Sequence, residues 1–306
     1  MRNRRLNATA SLAIVLLLAG CTAGATHGPS VAPAETGPIS YATGPTDLVL
    51  QVRSGGGLLP QSARLAEMPG VSIYGDGRVI KLGKHSTGAQ DPLLPELVET
   101  HVTSDGMARI LAAAREGGAL GPDRRYDLPG AYDLWTVSFI VTANGATHRI
   151  SAFALGFEGE DRLAPPGEMD GRRSLGAFYG KVQDLRAWLP AETVASDSPY
   201  VPTEIRVFMA RLVDWSTAAG SATPAPASPM ANQEVRDWPF TESPESFGKP
   251  VDKQSQWYCA VVRPNDAAAL GLDTAKWSTR WRAVGSLYQI VATPLLPHES
   301  GCPAGA

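Results

Sequence analysis

Two runs of alternating hydrophobicity meet at Asn144 and Gly145, and that junction limits the possible folds more than any other part of the chain. Leu134 to Thr142 places Trp135, Val137, Phe139 and Val141 on one side, and Ala146 to Leu155 continues the alternation beyond the turn. An Asn-Gly pair tolerates the positive φ of a two-residue hairpin turn, so these runs must lie antiparallel. Gly75, Asp76 and Gly77 announce a second hairpin between Val71 to Tyr74 and Arg78 to Leu82. Val284 and Gly285 announce a third, between Trp277 to Arg282 and Ser286 to Thr293.

Helical periodicity appears between these hairpins. Met107, Ile110, Leu111 and Ala114 recur at helical spacing after the capping residues Ser104 and Asp105, and Gly117 and Gly118 stop the run. Leu175, Phe178, Tyr179, Val182, Leu185 and Leu189 mark a second helix that ends by Pro190, and Asp266 to Leu270 a short third. Further strands are expected at Leu48 to Val52, Leu97 to Val102, Glu204 to Val213 and Trp257 to Val262. Regular strand-helix alternation is missing, so the fold class is α+β, antiparallel sheets with packed helices. Residues 97–155 and 257–293 share one order of strand, helix, strand, turn and strand. This order suits either two βαββ-like units of an internal repeat or two ordinary α+β segments.

The N-terminus has a different character. Arg2, Arg4 and Arg5 precede the apolar run Leu12 to Leu18, which is too short to span a hydrocarbon core that needs roughly 20 residues. That order is an export signal. Its last residues, Leu18, Ala19, Gly20 and Cys21, resemble the lipobox of bacterial lipoproteins. The resemblance is confined to this end of the chain. It implies signal-peptidase recognition at Leu18, Ala19 and Gly20, then a diacylglyceryl group on Cys21 with further acylation such as palmitate. The mature chain would be lipid-anchored on the outer, extracytoplasmic face of the cell membrane. Each buried acyl methylene contributes about 0.8 kcal/mol, so two or three chains hold stably. The tail around Trp257, Cys259, Trp277 and Pro294 to Pro297, with the Tyr74 to Ile80 hairpin, is similar to uncharacterised secreted lipoproteins of high-GC Gram-positive (actinobacterial) bacteria, a resemblance that implies no activity.

If Cys21 carries lipid, Cys259 and Cys302 remain, and outside the cytoplasm such a pair is expected to form a disulfide. The bridge would pin a Pro-rich tail. The expected organisation is a signal peptide at 1–20, a flexible tether at 21–46, an α+β domain at 47–215, an Ala/Pro/Ser-rich linker at 216–233 and a disulfide-bearing α+β segment at 234–306.

The whole chain has 27 basic and 30 acidic residues; losing the three signal arginines leaves 24 basic, a balance that excludes a dedicated nucleic-acid binder. No Gly-x-Ser-x-Gly elbow or His-Glu-x-x-His motif is present, and no cofactor is indicated. His27, His85, His101, His148 and His298 are scattered, with His101 and His148 on strands where they could meet across a sheet. Glu158, Glu160, Asp161, Glu168 and Asp170 form an acidic loop that is either solvated or a Ca²⁺ site, and Arg172, Arg173, Arg186 and Arg206 either pair with acids or bind an anion. Trp135, Trp188, Trp215, Trp238, Trp257, Trp277 and Trp281 either pack in the core or line a stacking groove. No catalytic or metal residue stands out. The leading expectation is a non-enzymatic binding module of the envelope whose partner is an envelope protein or small ligand. The alternative is a glycan or peptidoglycan hydrolase whose carboxylates meet only in the fold.

Overall fold

The computed structural model describes residues 37–83, 88–212, 233–253 and 255–303. The lipobox positions Leu18, Ala19, Gly20 and Cys21, most of the expected tether and linker, and His27, His85 and Trp215 lie outside them. The fold is α+β, with two mixed but mainly antiparallel sheets.

The first sheet holds β1 (Leu48–Gly55), β2 (Val71–Tyr74), β3 (Arg78–Leu82), β4 (Leu97–His101), β5 (Arg124–Tyr126), β6 (Thr136–Ala143), β7 (Ala146–Phe153) and β8 (Ser198–Pro199). Its strand order is β5-β7-β6-β1-β2-β3-β4-β8. The second holds β9 (Ile205–Arg211), β10 (Val235–Asp237), β11 (Lys249–Pro250), β12 (Trp257–Val262), β13 (Arg280–Ala283) and β14 (Ser286–Pro294), ordered β10-β13-β14-β9-β12-β11. The β6–β7 hairpin turns at Asn144 (φ 52°) and Gly145 (φ 73°), and β13–β14 at Val284 (φ 48°) and Gly285 (φ 72°). Both are the turns read from the sequence.

Among the described residues six α-helices accompany the sheets: α1 (Gln61–Leu65), α2 (Ser104–Glu116), α3 (Glu160–Leu163), α4 (Met169–Gln183), α5 (Pro244–Phe247) and α6 (Pro264–Ala269). Thr103 caps α2 by accepting from the Gly106 amide at 3.3 Å, one residue earlier than expected. The helix stops where Gly117 meets α4, since a Cβ there would lie 2.5 Å from the Phe178 Cβ. α4 starts earlier than expected and ends at Gln183. Asp184 caps a 3-10 turn, Leu185–Ala187, which keeps Leu185 and Leu189 buried, so apolar spacing persists beyond the helix.

α2 and α4 cover one face of the first sheet through Met107, Ile110, Leu111, Leu175, Phe178 and Val182, against Leu50, Val52, Ile73, Phe139 and Val141. Under the opposite face a smaller apolar group joins Met68, Tyr74, Ile80 and Leu97 to Leu296, which follows β14 of the second sheet. Coverage on both faces explains why all of β2 is buried.

Three expectations change. β9 was expected within the 47–215 domain, but it is the centre of the second sheet, paired antiparallel with β12 and β14. The sheets also exchange segments. Leu65 and Ala66, at the end of α1, pack with Phe208 and Trp257, and Leu93 joins the core around Trp281 and Ile290. Residues from Pro38 onward therefore cluster as one compact unit. The 21–46 tether is docked over its last part: Asn144 and Ser40 exchange hydrogen bonds at 2.8 and 2.9 Å, and Ile39 and Tyr41 pack on the first core. Finally, the two βαββ-like segments differ in order and in pairing, since β5 stands between helix and hairpin in the first alone. The first hairpin meets its sheet centre through its leading strand β6, the second through its trailing strand β14.

Candidate functional site

The predicted disulfide is present: Cys259 on β12 joins Cys302, with Cα atoms 5.9 Å apart and a sequence separation of 43. It holds the tail beyond β14, and that tail carries the densest polar cluster spanning the two sheets.

Alternation on β1 sends Leu50 and Val52 to the helix side and Gln51 and Arg53 to the tail side. Ser72, the β2 partner of Gln51, and Tyr74 share that face. Arg53 Nε donates to Gln51 Oε1 at 2.9 Å, so the Gln51 amide nitrogen is free to donate to Ser72 Oγ and to His298 Nε2, both at 3.2 Å. His298 Nε2 thus accepts, and the imidazole proton resides on Nδ1, which donates to the Tyr74 hydroxyl at 2.8 Å. Glu299 accepts from Arg53 at 3.3 Å and from the Leu296 amide at 3.2 Å. Tyr200 donates to the Leu295 carbonyl at 3.1 Å, and Arg206 to the Gly301 carbonyl at 3.0 Å.

Burial holds His298 below the usual histidine range; Glu299 opposes that shift and Arg53 adds to it. Burial likewise pushes the Tyr74 phenol well up, reinforced by Tyr200 and Glu299. The imidazole is therefore neutral and the phenol protonated at neutral pH. Both ring nitrogens are engaged within the protein, Nδ1 with the Tyr74 hydroxyl and Nε2 with the Gln51 amide. The cluster is chemically a clasp that fastens the tail of the second sheet to the first. Sequence reasoning left His298 as one scattered histidine. The signal that pointed to it was the apolar, proline-bounded run Pro294 to Pro297 ahead of Cys302.

The other candidates are dispersed or paired. His101 lies on β4 and His148 on β7, five strand spacings apart, about 24 Å, so they do not meet. His148 Nδ1 instead donates to the Gly121 carbonyl at 2.8 Å. In the acidic loop Glu160 pairs with fully buried Arg172, Asp161 and Asp170 with Arg173, and Glu168 with Arg124, while Glu158 is exposed. Arg186 is bound to Asp197. Among the described residues no group of three or more His, Cys, Asp or Glu side chains is placed to hold a metal, and no helix is long and apolar enough to cross a membrane. Trp281 is buried and donates to the Leu270 carbonyl, and Trp257 is buried near the disulfide. Trp188 donates to the Lys181 carbonyl, and Trp277 is half-buried against the second core. Trp238 packs edge-on against the stacked rings of Phe240 and Phe247. These tryptophans do not line one groove.

One surface feature remains. Gly55 of β1 pairs with Thr136 of β6, so the loop after β1 and the loop before β6 emerge side by side. Gly57 is so near the second loop that a Cβ there would lie 3.1 Å from the Asp133 carbonyl. Gly56, Gly57, Gly130 and Asp133 all have positive φ, a backbone that glycine adopts without strain and aspartate tolerates. These loops carry Leu58, 87% exposed, Tyr132, 79% exposed, and Leu59 and Trp135, each 40% exposed. Gathered on adjacent loops, these side chains form a candidate contact surface. No family model, curated protein or solved structure matches the chain.

Proposed function

We propose that this protein is a lipid-anchored component of the extracytoplasmic membrane face, held through acyl chains on Cys21, and that it works by contact rather than by turnover. One observation carries the second half of that reading. The side chains best equipped for acid-base chemistry, His298, Tyr74, Glu299 and the acids of residues 160–170, are bonded to partners inside the protein, whereas four large apolar side chains project from adjacent loops. The anchor itself is supported by the basic start, the short apolar run and the cysteine that closes it. The Cys259–Cys302 bridge fits an oxidising compartment. A hydrolase would need a carboxylate pair free to face substrate, and in the acidic loop Glu160, Asp161, Glu168 and Asp170 are paired with arginines, which leaves Glu158 alone without one.

The test is metabolic labelling with an alkyne palmitate analogue followed by membrane fractionation, comparing wild type with Cys21→Ala. Label and membrane association in wild type alone are expected. An unlabelled, soluble wild-type protein would remove the anchor. Release of sugar or peptide fragments from purified cell wall by the protein would remove the non-catalytic half.

A further inference from the structure

The geometry points to the bilayer interface as the occupant of the apolar loop pair: Leu58, Leu59, Tyr132 and Trp135 dip into the membrane to which Cys21 is tethered. The inference rests on the proposed anchor, and three observations select lipid over a protein partner.

The first is shape. At 87% and 79% exposure, Leu58 and Tyr132 are tips that project into solvent with little cover from the body. A soft phase can close around such tips, whereas a protein partner would need a complementary pit for each. The second is chemistry. Leucine suits the acyl boundary, and tyrosine and tryptophan suit the headgroup level, where one end of the ring is apolar and the other wet. Within residues 56–59 and 130–135 the only charged side chain is Asp133, so insertion carries no block of charge into lipid and needs no anionic headgroup. That matches a mature chain whose acids outnumber its bases.

The third is reach. The chain enters the body at Ser40, bonded to Asn144 at one end of β6, and the loops project from the opposite end beside Thr136. The eight residues of β6 separate these points by about 27 Å. The 16 residue steps from Cys21 to Gly37 extend to at most about 55 Å, so anchor and loops can engage the same surface. Tethering also raises the effective concentration of the loops at the bilayer, so a weak contact suffices.

The experiment supplies the anchor chemically. Cys259 and Cys302 are bridged and the chain has three cysteines, so a chain from residue 21 made without the export signal, and therefore not acylated, carries one free thiol that a maleimide lipid can modify. The conjugate is placed in pure phosphatidylcholine vesicles, and amide exchange of residues 56–59 and 130–135 is compared with the unconjugated protein without vesicles. Exchange at both loops is expected to slow by about tenfold or more, with no further slowing when anionic lipid is added. Leu58→Ser with Tyr132→Ser should abolish the protection while the conjugate stays on the vesicles. Without the lipid, the same pair of changes should weaken vesicle partition by about tenfold or more. A conjugate that stays on the vesicles with both loops exchanging freely overturns loop insertion and leaves the anchor standing. Protection that appears only when an envelope protein is added overturns the lipid assignment in favour of a protein partner. A cell-made protein without acyl label would remove the anchor reading, while the conjugate still reports on the loops.

Discussion

Replacing Cys259 and Cys302 together with serine removes one covalent link and tests how the tail is held. The residues are 43 apart, so on the loop-entropy model the loss is about 4 kcal/mol. For a body of this size each kcal/mol lowers the unfolding midpoint by about 2 °C, which gives an expected drop of about 8 °C by circular dichroism. The effect should be local as well as global. The link ties β12 to a tail whose Leu295 amide donates to the Glu204 carbonyl and whose Leu296 packs beneath the first sheet. Amide exchange should therefore accelerate first at residues 295–301 and along β2, and last on the face covered by α2 and α4. If the midpoint fell by less than about 2 °C and the tail amides kept their protection, the clasp alone would be holding the tail and the reasoning would fail.

The clasp predicts a pH response. His298 is held below its ordinary range, so in the native state it stays neutral where the unfolded chain already takes up a proton. Its stabilising contribution is complete above about pH 6.5 and declines as pH falls from there toward the native value. Urea titrations across that window should show wild type losing stability faster than His298→Gln, and equal slopes would remove His298 as the cause. Arg172 has no exposed side-chain surface and donates to Glu160 and to the carbonyls of Tyr126, Asp127 and Phe153. Arg172→Met should cost about 3–5 kcal/mol in chemical denaturation, and a cost below about 1 kcal/mol would show that the ion pair is dispensable. Gly75→Ala would place a Cβ 2.0 Å from the Ala42 carbonyl oxygen, so residues 38–46 should detach and become sensitive to limited proteolysis. Resistance equal to wild type would show that the segment shifts without leaving.

Elements specified by neighbouring residues were legible in the sequence. Asn144-Gly145 names its turn because both residues tolerate positive φ, and in Val284-Gly285 the glycine alone carries that signal, Val284 adopting φ 48° against its β-branched preference. β3, β12 and most of α2 follow from periodicity that each segment carries internally. The cysteine pairing followed from a count of three and an export signal. β5, β8, β10 and β11 were not legible, because two or three residues hold no period; they pair where β7, β4, β13 and β12 leave backbone groups open. Nor did the composition break after residue 215 show that β9 had already entered the second sheet, since strand partnership is a contact between segments distant in sequence. The same distinction separates the two halves of the functional reading. The proposed anchor rests on a run of consecutive residues ending at Cys21. The clasp and the apolar loop pair exist only once β1, β2 and β6 bring Gln51 to His298 and the loop of Leu58 alongside that of Tyr132, a proximity that depends on packing across the whole body.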